Sequence, residues 1–214
     1  MKTLFIHRSV GNNFIKDSDF YKLLEESGFT GEFADYDNNT GILRDKFGAK
    51  KLGLKFPNDN TTPADYVELF STNGAPSYKE LHDLVMSYDR IMIKSCYPNS
   101  NIKNGEELEK IKGYYRAIAK YFTDCKKELI ILTSPPLRPT STSKENAARA
   151  KELASWLRRE NFGNYVSVFD FFSLLSDDDG CLKKDYRRLI WLDNHPNKRA
   201  AKDIAPRFVE AITQ

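Results

Sequence analysis

Strand-like and helix-like segments alternate along this chain, with no long block of either kind to break the alternation. Lys2 to His7 is an apolar run of strand length that leads straight into Arg8, Ser9, Val10 and Gly11. Ser18 to Ser27 puts Phe20, Leu23 and Leu24 on one face, with Ser18 at the N-cap position and Gly28 as the stop, and reads as the first helix. Glu32 to Asp37 alternates at period two and is followed by a turn, Asn38, Asn39, Thr40 and Gly41. From Gly41 to about Pro76 the chain reads as a long irregular loop with one short helical patch at Asp65 to Phe70. Further strands are expected at Arg90 to Cys96, Glu128 to Thr133 and Tyr165 to Asp170. Helices are expected at Tyr78 to Ser87, through Leu108, Ile111, Tyr115, Ile118 and Phe122, through Ala150, Leu153, Ala154 and Leu157, and from Ala201 to Ile212.

Such an order favours a three-layer α/β/α sandwich, a five-stranded parallel sheet with helices on both faces. At 214 residues the chain suits one domain, residues 1–214. Ligands of such sheets bind at the carboxyl ends of the strands. Ser9, Gly41, Ser95 with Cys96, Ser134 and the loop before His195 all fall there, on one rim.

Of three histidines, His82 lies within an amphipathic helix and reads as a surface or half-buried helix residue. His7 ends the first strand and points either into the site or against the sheet edge. His195 sits in a polar loop of Leu192, Asp193, Asn194, Pro196 and Asn197, just before the last helix, with Asn197 placed to cap that helix. A histidine on a short, rigid lead-in suits a general base, and a carboxylate two residues earlier, Asp193, can orient its ring. A serine hydroxyl needs such a base, and the acyl-transfer transition state needs donors aimed at the developing oxyanion. The Ser9 and Gly41 N–H groups and a side-chain amide, Asn99 or Asn101, are the candidates for those donors.

This order resembles the SGNH (GDSL-type) hydrolase family: a nucleophilic serine after the first strand, a glycine after the second, an asparagine after the third, and Asp and His before the last helix. The resemblance runs from Ser9 to His195, and its most specific parts are His7 to Gly11 and Asp193 to Asn197. It implies a flavodoxin-like sandwich and a serine esterase or acylhydrolase that uses no metal or organic cofactor. Its substrates would be lipids, acylated sugars or related small esters, and an acylated carbohydrate is the substrate expected by analogy.

Three places depart from the family pattern. His7, Arg8 and Ser9 stand where the family has Gly-Asp-Ser. Leu192 occupies the position three before the histidine, so either Asp193 reaches the ring or a backbone carbonyl orients it in a Ser-His dyad. The block Lys94 to Asn101 replaces Gly-x-Asn, and within it Ser95 and Cys96 neighbour the site. Cys96 is a rival nucleophile, although free cysteines are usually buried and inert. These departures sustain a second reading, a non-catalytic binding or accessory domain on a degenerate hydrolase fold. A flavodoxin-like cofactor binder fits less well, because the first turn has a single glycine and no phosphate-cradling run.

Thirty-three basic residues against 30 acidic ones give little attraction for a polyanion, so no nucleic-acid partner is expected. Three widely spaced cysteines, Cys96, Cys125 and Cys181, argue against a disulfide framework or zinc site. No apolar run is long enough to span a bilayer, and the first strand is too short for a signal peptide. A cytoplasmic protein is the expectation, with a secreted mature form as the alternative.

Overall fold

A computed structural model describes residues 1–54, 56, 60–71, 78–190 and 192–213. Its strands are β1 (Lys2–His7), β2 (Glu32–Asp37), β3 (Ile42–Asp45), β4 (Gly48–Lys51), β5 (Arg90–Lys94), β6 (Glu128–Leu132) and β7 (Val166–Phe169). The helices are α1 (Ser9–Asp17), α2 (Phe20–Glu26), α3 (Pro63–Phe70), α4 (Lys79–Met86), α5 (Gly105–Asp124), α6 (Lys144–Arg159), α7 (Phe171–Leu175) and α8 (Lys198–Thr213). Of the long segment expected to be irregular, residues 55, 57–59 and 72–76 lie outside the described residues. Among the described residues, no helix is long and apolar enough to cross a membrane.

The sheet runs β4-β3-β2-β1-β5-β6-β7. It corrects the expected five-stranded parallel sheet: there are seven described strands and the sheet is mixed. β2, β1, β5, β6 and β7 pair in parallel, while β3 and β4 add an antiparallel hairpin on β2. That hairpin carries no apolar alternation to betray it. Every residue of β4 is exposed, and Lys50 and Lys51 lie on an unpaired edge, where charge discourages pairing with another chain. Its turn is held instead by Asp45, whose carboxylate accepts from the N–H groups of Phe47 at 2.7 Å and Gly48 at 3.1 Å.

The N-terminal helix also differs from expectation. It begins at Ser9, and Ser18 closes it rather than opening the next one, its Oγ donating to the Phe14 carbonyl at 2.6 Å. Gly28 does follow α2 with φ at 76°, as a helix stop requires.

Successive β1 side chains alternate between two cores. Leu4 and Ile6 join a core built with α3, α4, α5 and α6. Phe5 joins the other, beneath α1, α2 and α8, where Phe208 lies 5.2 to 5.5 Å, ring to ring, from Phe5, Phe14, Phe20 and Phe169. Burying such a ring against four others contributes about 3 kcal/mol or more. This cluster fixes α1 to α8, and therefore fixes Ser9 at the start of one relative to the loop that leads into the other.

Candidate active site

Ser9 is the first residue of α1, and Arg8 before it is extended (φ −131°, ψ −159°). A helix leaves its first N–H groups without intrahelical partners, so the Ser9 amide points out of the helix start beside its own hydroxyl. Buried Val10, Phe14 and Ile15 hold the helix down, leaving Ser9 partly open to solvent.

Across the rim, His195 Nε2 lies 2.8 Å from Ser9 Oγ. Its Nδ1 lies 2.6 Å from Asp193 Oδ1, which also accepts the His195 backbone N–H at 2.9 Å. An aspartate accepting from the amide two residues on is an Asx turn. Asp193 therefore meets the ring from two residues away because one carboxylate oxygen closes the turn and grips the imidazole together. Burial alone would raise the Asp193 carboxyl; the bonds from the His195 backbone and ring, with His195 and Arg188 charge, outweigh it and hold the group below the usual carboxylate range. Tyr97 packs edge-on against the His195 ring at 5.2 Å.

A second histidine-carboxylate pair lies directly beneath. His7 is fully buried, with Nε2 2.8 Å from Asp35 Oδ1 and Nδ1 3.0 Å from the Arg8 carbonyl. Asp35 also accepts from Tyr21 Oη at 2.6 Å and from the Arg44 guanidinium, whose Nη1 reaches Asn12 Oδ1 at 2.7 Å. Burial raises the Asp35 carboxyl, but the His7, Arg44 and Tyr21 bonds bring it down to about 2. The Arg8 carbonyl can only accept, so His7 Nδ1 is the donor in that contact. The same surroundings push the Tyr21 hydroxyl upward, through burial first and Asp35 second.

Arg8 gathers the loops around Ser9. Its Nη1 donates to Asn60 Oδ1 at 2.5 Å and its Nη2 to Asn39 Oδ1 at 3.4 Å. The Asn60 carbonyl accepts the Cys96 N–H at 3.3 Å, and Cys96 Sγ, itself buried, sits 3.9 Å from Ser9 Oγ.

Two of the expected oxyanion donors, Gly41 and Asn99, donate elsewhere, and a third, Asn101, is anchored away through its side-chain oxygen. The Gly41 N–H donates to the Asp37 carbonyl at 2.8 Å; its glycine is required by φ of 67° and by Gly53, whose Cα would lie 3.1 Å from an added Cβ. Asn99 Nδ2 donates to the Cys96 carbonyl at 3.1 Å. Asn101 Oδ1 accepts from Thr142 Oγ1 at 3.1 Å and Asn146 Nδ2 at 2.9 Å, which ties it to α6. Ser95 is buried and turns its hydroxyl toward Tyr115, 3.5 Å away. His82 lies on α4 as expected, with Nε2 2.8 Å from Tyr121 Oη.

No family model matches the sequence, and no curated protein matches it either. Among solved structures, the chain is similar over its full length to the lipase Lip_vut3 from a goat rumen metagenome (TM-score 0.59, 12% identity, 98% of that chain covered). Over 99% of its length it is similar to the acetyl xylan esterase AlAXEase (TM-score 0.56, 12% identity, all of that chain covered). A GDSL-like lipase from Bacteroides thetaiotaomicron matches over 99% of this chain and 87% of its own (TM-score 0.54, 9% identity). The fold is that of the SGNH (GDSL-type) hydrolases. Within this SGNH fold, the residues that sequence reasoning missed are Asp35, Asn39, Asn60 and Tyr97. The Asn38-Asn39 turn was visible, but nothing local to Asn60 signals that Arg8 will draw it to the rim.

Proposed function

We propose that this protein hydrolyses a carboxylic ester, with Ser9 as nucleophile, His195 as general base and Asp193 as the group that orients the imidazole. The observation that carries the reading is the hydrogen-bonded line from Ser9 Oγ through both His195 nitrogens to Asp193, at 2.8 and 2.6 Å. His195 Nε2 takes the Ser9 proton as Oγ attacks the ester carbonyl, and Asp193 stabilises the imidazolium that results. The tetrahedral intermediate collapses, His195 passes the proton to the leaving alcohol, and the acyl group stays on Ser9. Water, deprotonated by the same ring, then releases the acid.

The Ser9 N–H is one donor to the oxyanion. Asn60 supplies the second: Arg8 fixes its side-chain oxygen at 2.5 Å, which turns the amide N–H₂ away from the guanidinium. Asn60→Ala is expected to lower kcat about a hundredfold, whereas Asn101→Ala leaves it unchanged. An acylated carbohydrate is the substrate class to test first, since one structural neighbour is an acetyl xylan esterase.

The direct test treats wild type, Ser9→Ala and His195→Ala with a fluorophosphonate probe while following p-nitrophenyl acetate hydrolysis. Labelling and turnover should vanish in both variants. A folded wild type that neither labels nor turns over would overturn the reading in favour of a binding domain. Activity that survives Ser9→Ala would transfer the nucleophile to Cys96.

A further inference from the structure

Resting on the catalytic reading above, we infer that His7 is a positioning residue that sets the plane of the Arg8–Ser9 peptide and so aims the Ser9 N–H at the oxyanion. The C=O of Arg8 and the N–H of Ser9 belong to one rigid planar unit and point in opposite directions. Whatever grips the carbonyl thereby aims the amide. Two donors grip it: the Asn12 N–H at 2.9 Å, which is the first bond of α1, and His7 Nδ1 at 3.0 Å. The helical bond pulls along the helix axis, and the imidazole adds a second, side-chain constraint that an ordinary helix start lacks.

The imidazole is itself held. Asp35 fixes its far nitrogen, the Phe5 ring packs against it, tilted by 45° at 4.9 Å between centroids, and no part of it reaches solvent. Above it, α1 leaves room only for glycine. A Cβ on Gly11 would lie 2.3 Å from His7 Cβ and 2.5 Å from His7 Cγ, closer than real atoms approach. Residues 7, 9 and 11 thus form one device in which Gly11 admits the ring, the ring holds the peptide and the peptide presents Ser9.

The two nitrogens of His7 can be replaced one at a time. Asparagine carries its amide nitrogen where histidine has Nδ1, and glutamine carries its own near the Nε2 position. His7→Asn therefore keeps the donor to Arg8 and gives up Asp35, while His7→Gln keeps Asp35 and gives up Arg8. For each, kcat and KM toward p-nitrophenyl acetate, the rate of fluorophosphonate labelling and the thermal midpoint would be measured. His7→Gln is expected to lose about tenfold or more in kcat and in labelling rate, with KM unchanged, because only transition-state stabilisation is removed. His7→Asn is expected to keep kcat within about twofold of wild type despite a lower thermal midpoint.

Equal losses in both variants, or losses that follow the thermal midpoint, would overturn the inference and leave His7 a stabilising residue. A wild-type protein inert to both ester and probe overturns the catalytic reading and this inference with it. An active wild type matched by His7→Gln overturns this inference alone.

Discussion

Two histidines flank Ser9, each with one ring nitrogen on an aspartate and the other on the Arg8–Ser9 unit, yet they are fitted for opposite tasks. His195 meets the Ser9 hydroxyl, a group that both donates and accepts, and its side chain is 21% exposed. His7 meets the Arg8 carbonyl, which only accepts, and its side chain is sealed. The Ser9 hydroxyl facing His195 has a proton to give, whereas the Arg8 carbonyl facing His7 has none. The histidine-aspartate contact therefore does not define a catalytic pair by itself; what the other nitrogen faces, and whether solvent reaches it, decides.

The largest effect expected from this contrast lies on the open pair. Ser9→Ala and His195→Ala should each reduce kcat/KM toward p-nitrophenyl acetate by about 10,000-fold, or about 5 kcal/mol of transition-state stabilisation, with urea unfolding midpoints near that of wild type. Neutralising the buried carboxylate should do the reverse. Asp35→Asn leaves the Arg44 guanidinium without its buried counter-charge and is expected to cost about 3 to 5 kcal/mol of folding stability in urea titration. An Asp35→Asn protein as stable as wild type would remove the distinction between the two pairs. Smaller again, Asp193→Ala should lower kcat about a hundredfold with little change in stability, because its carboxylate organises a loop at the surface.

The contrast also explains which parts were legible in the sequence. Ser9, Asp193 and His195 announce themselves because their signals are local: a strand running into a serine, and an Asp two residues before a His in a capping loop. The five parallel strands and the long helices α5, α6 and α8 declare themselves through apolar periodicity, since each buries a face. The hairpin of β3 and β4 buries almost nothing and leaves no such trace. The glycine-containing turn read after the first strand is instead the first turn of α1, with Gly11 selected by the His7 ring rather than by the helix. The His7–Asp35 pair spans 28 residues and exists only because β1 and β2 pair in parallel with Phe5 opposite Asp35. Gly41, Asn99 and Asn101 show the converse limit. Residue type and position qualified them as donors, but Gly41 donates to Asp37, Asn99 donates to Cys96, and Asn101 is held through its oxygen by Asn146 on α6.

Acid separates the two aspartates more gently. Both carboxyls are lowered on folding, so each contributes stability that is complete above the unfolded value and is lost as pH falls through the folded one. For Asp35 the window runs from 3.8 down to about 2, and the stability lost across it is about 2 kcal/mol. Asp35→Asn cannot titrate there, so the gap between its unfolding free energy and that of wild type should narrow by about this amount between pH 5 and pH 2. Asp193 is far less enclosed, and protonating it removes the acceptor that orients His195; its substitution should leave the acid arm of the stability curve nearly as steep as in wild type. Urea titrations of the three proteins at pH 5, 3.5 and 2 would read the difference. Parallel curves for wild type and Asp35→Asn would mean that the buried carboxylate is not the group whose protonation loosens the floor beneath Ser9.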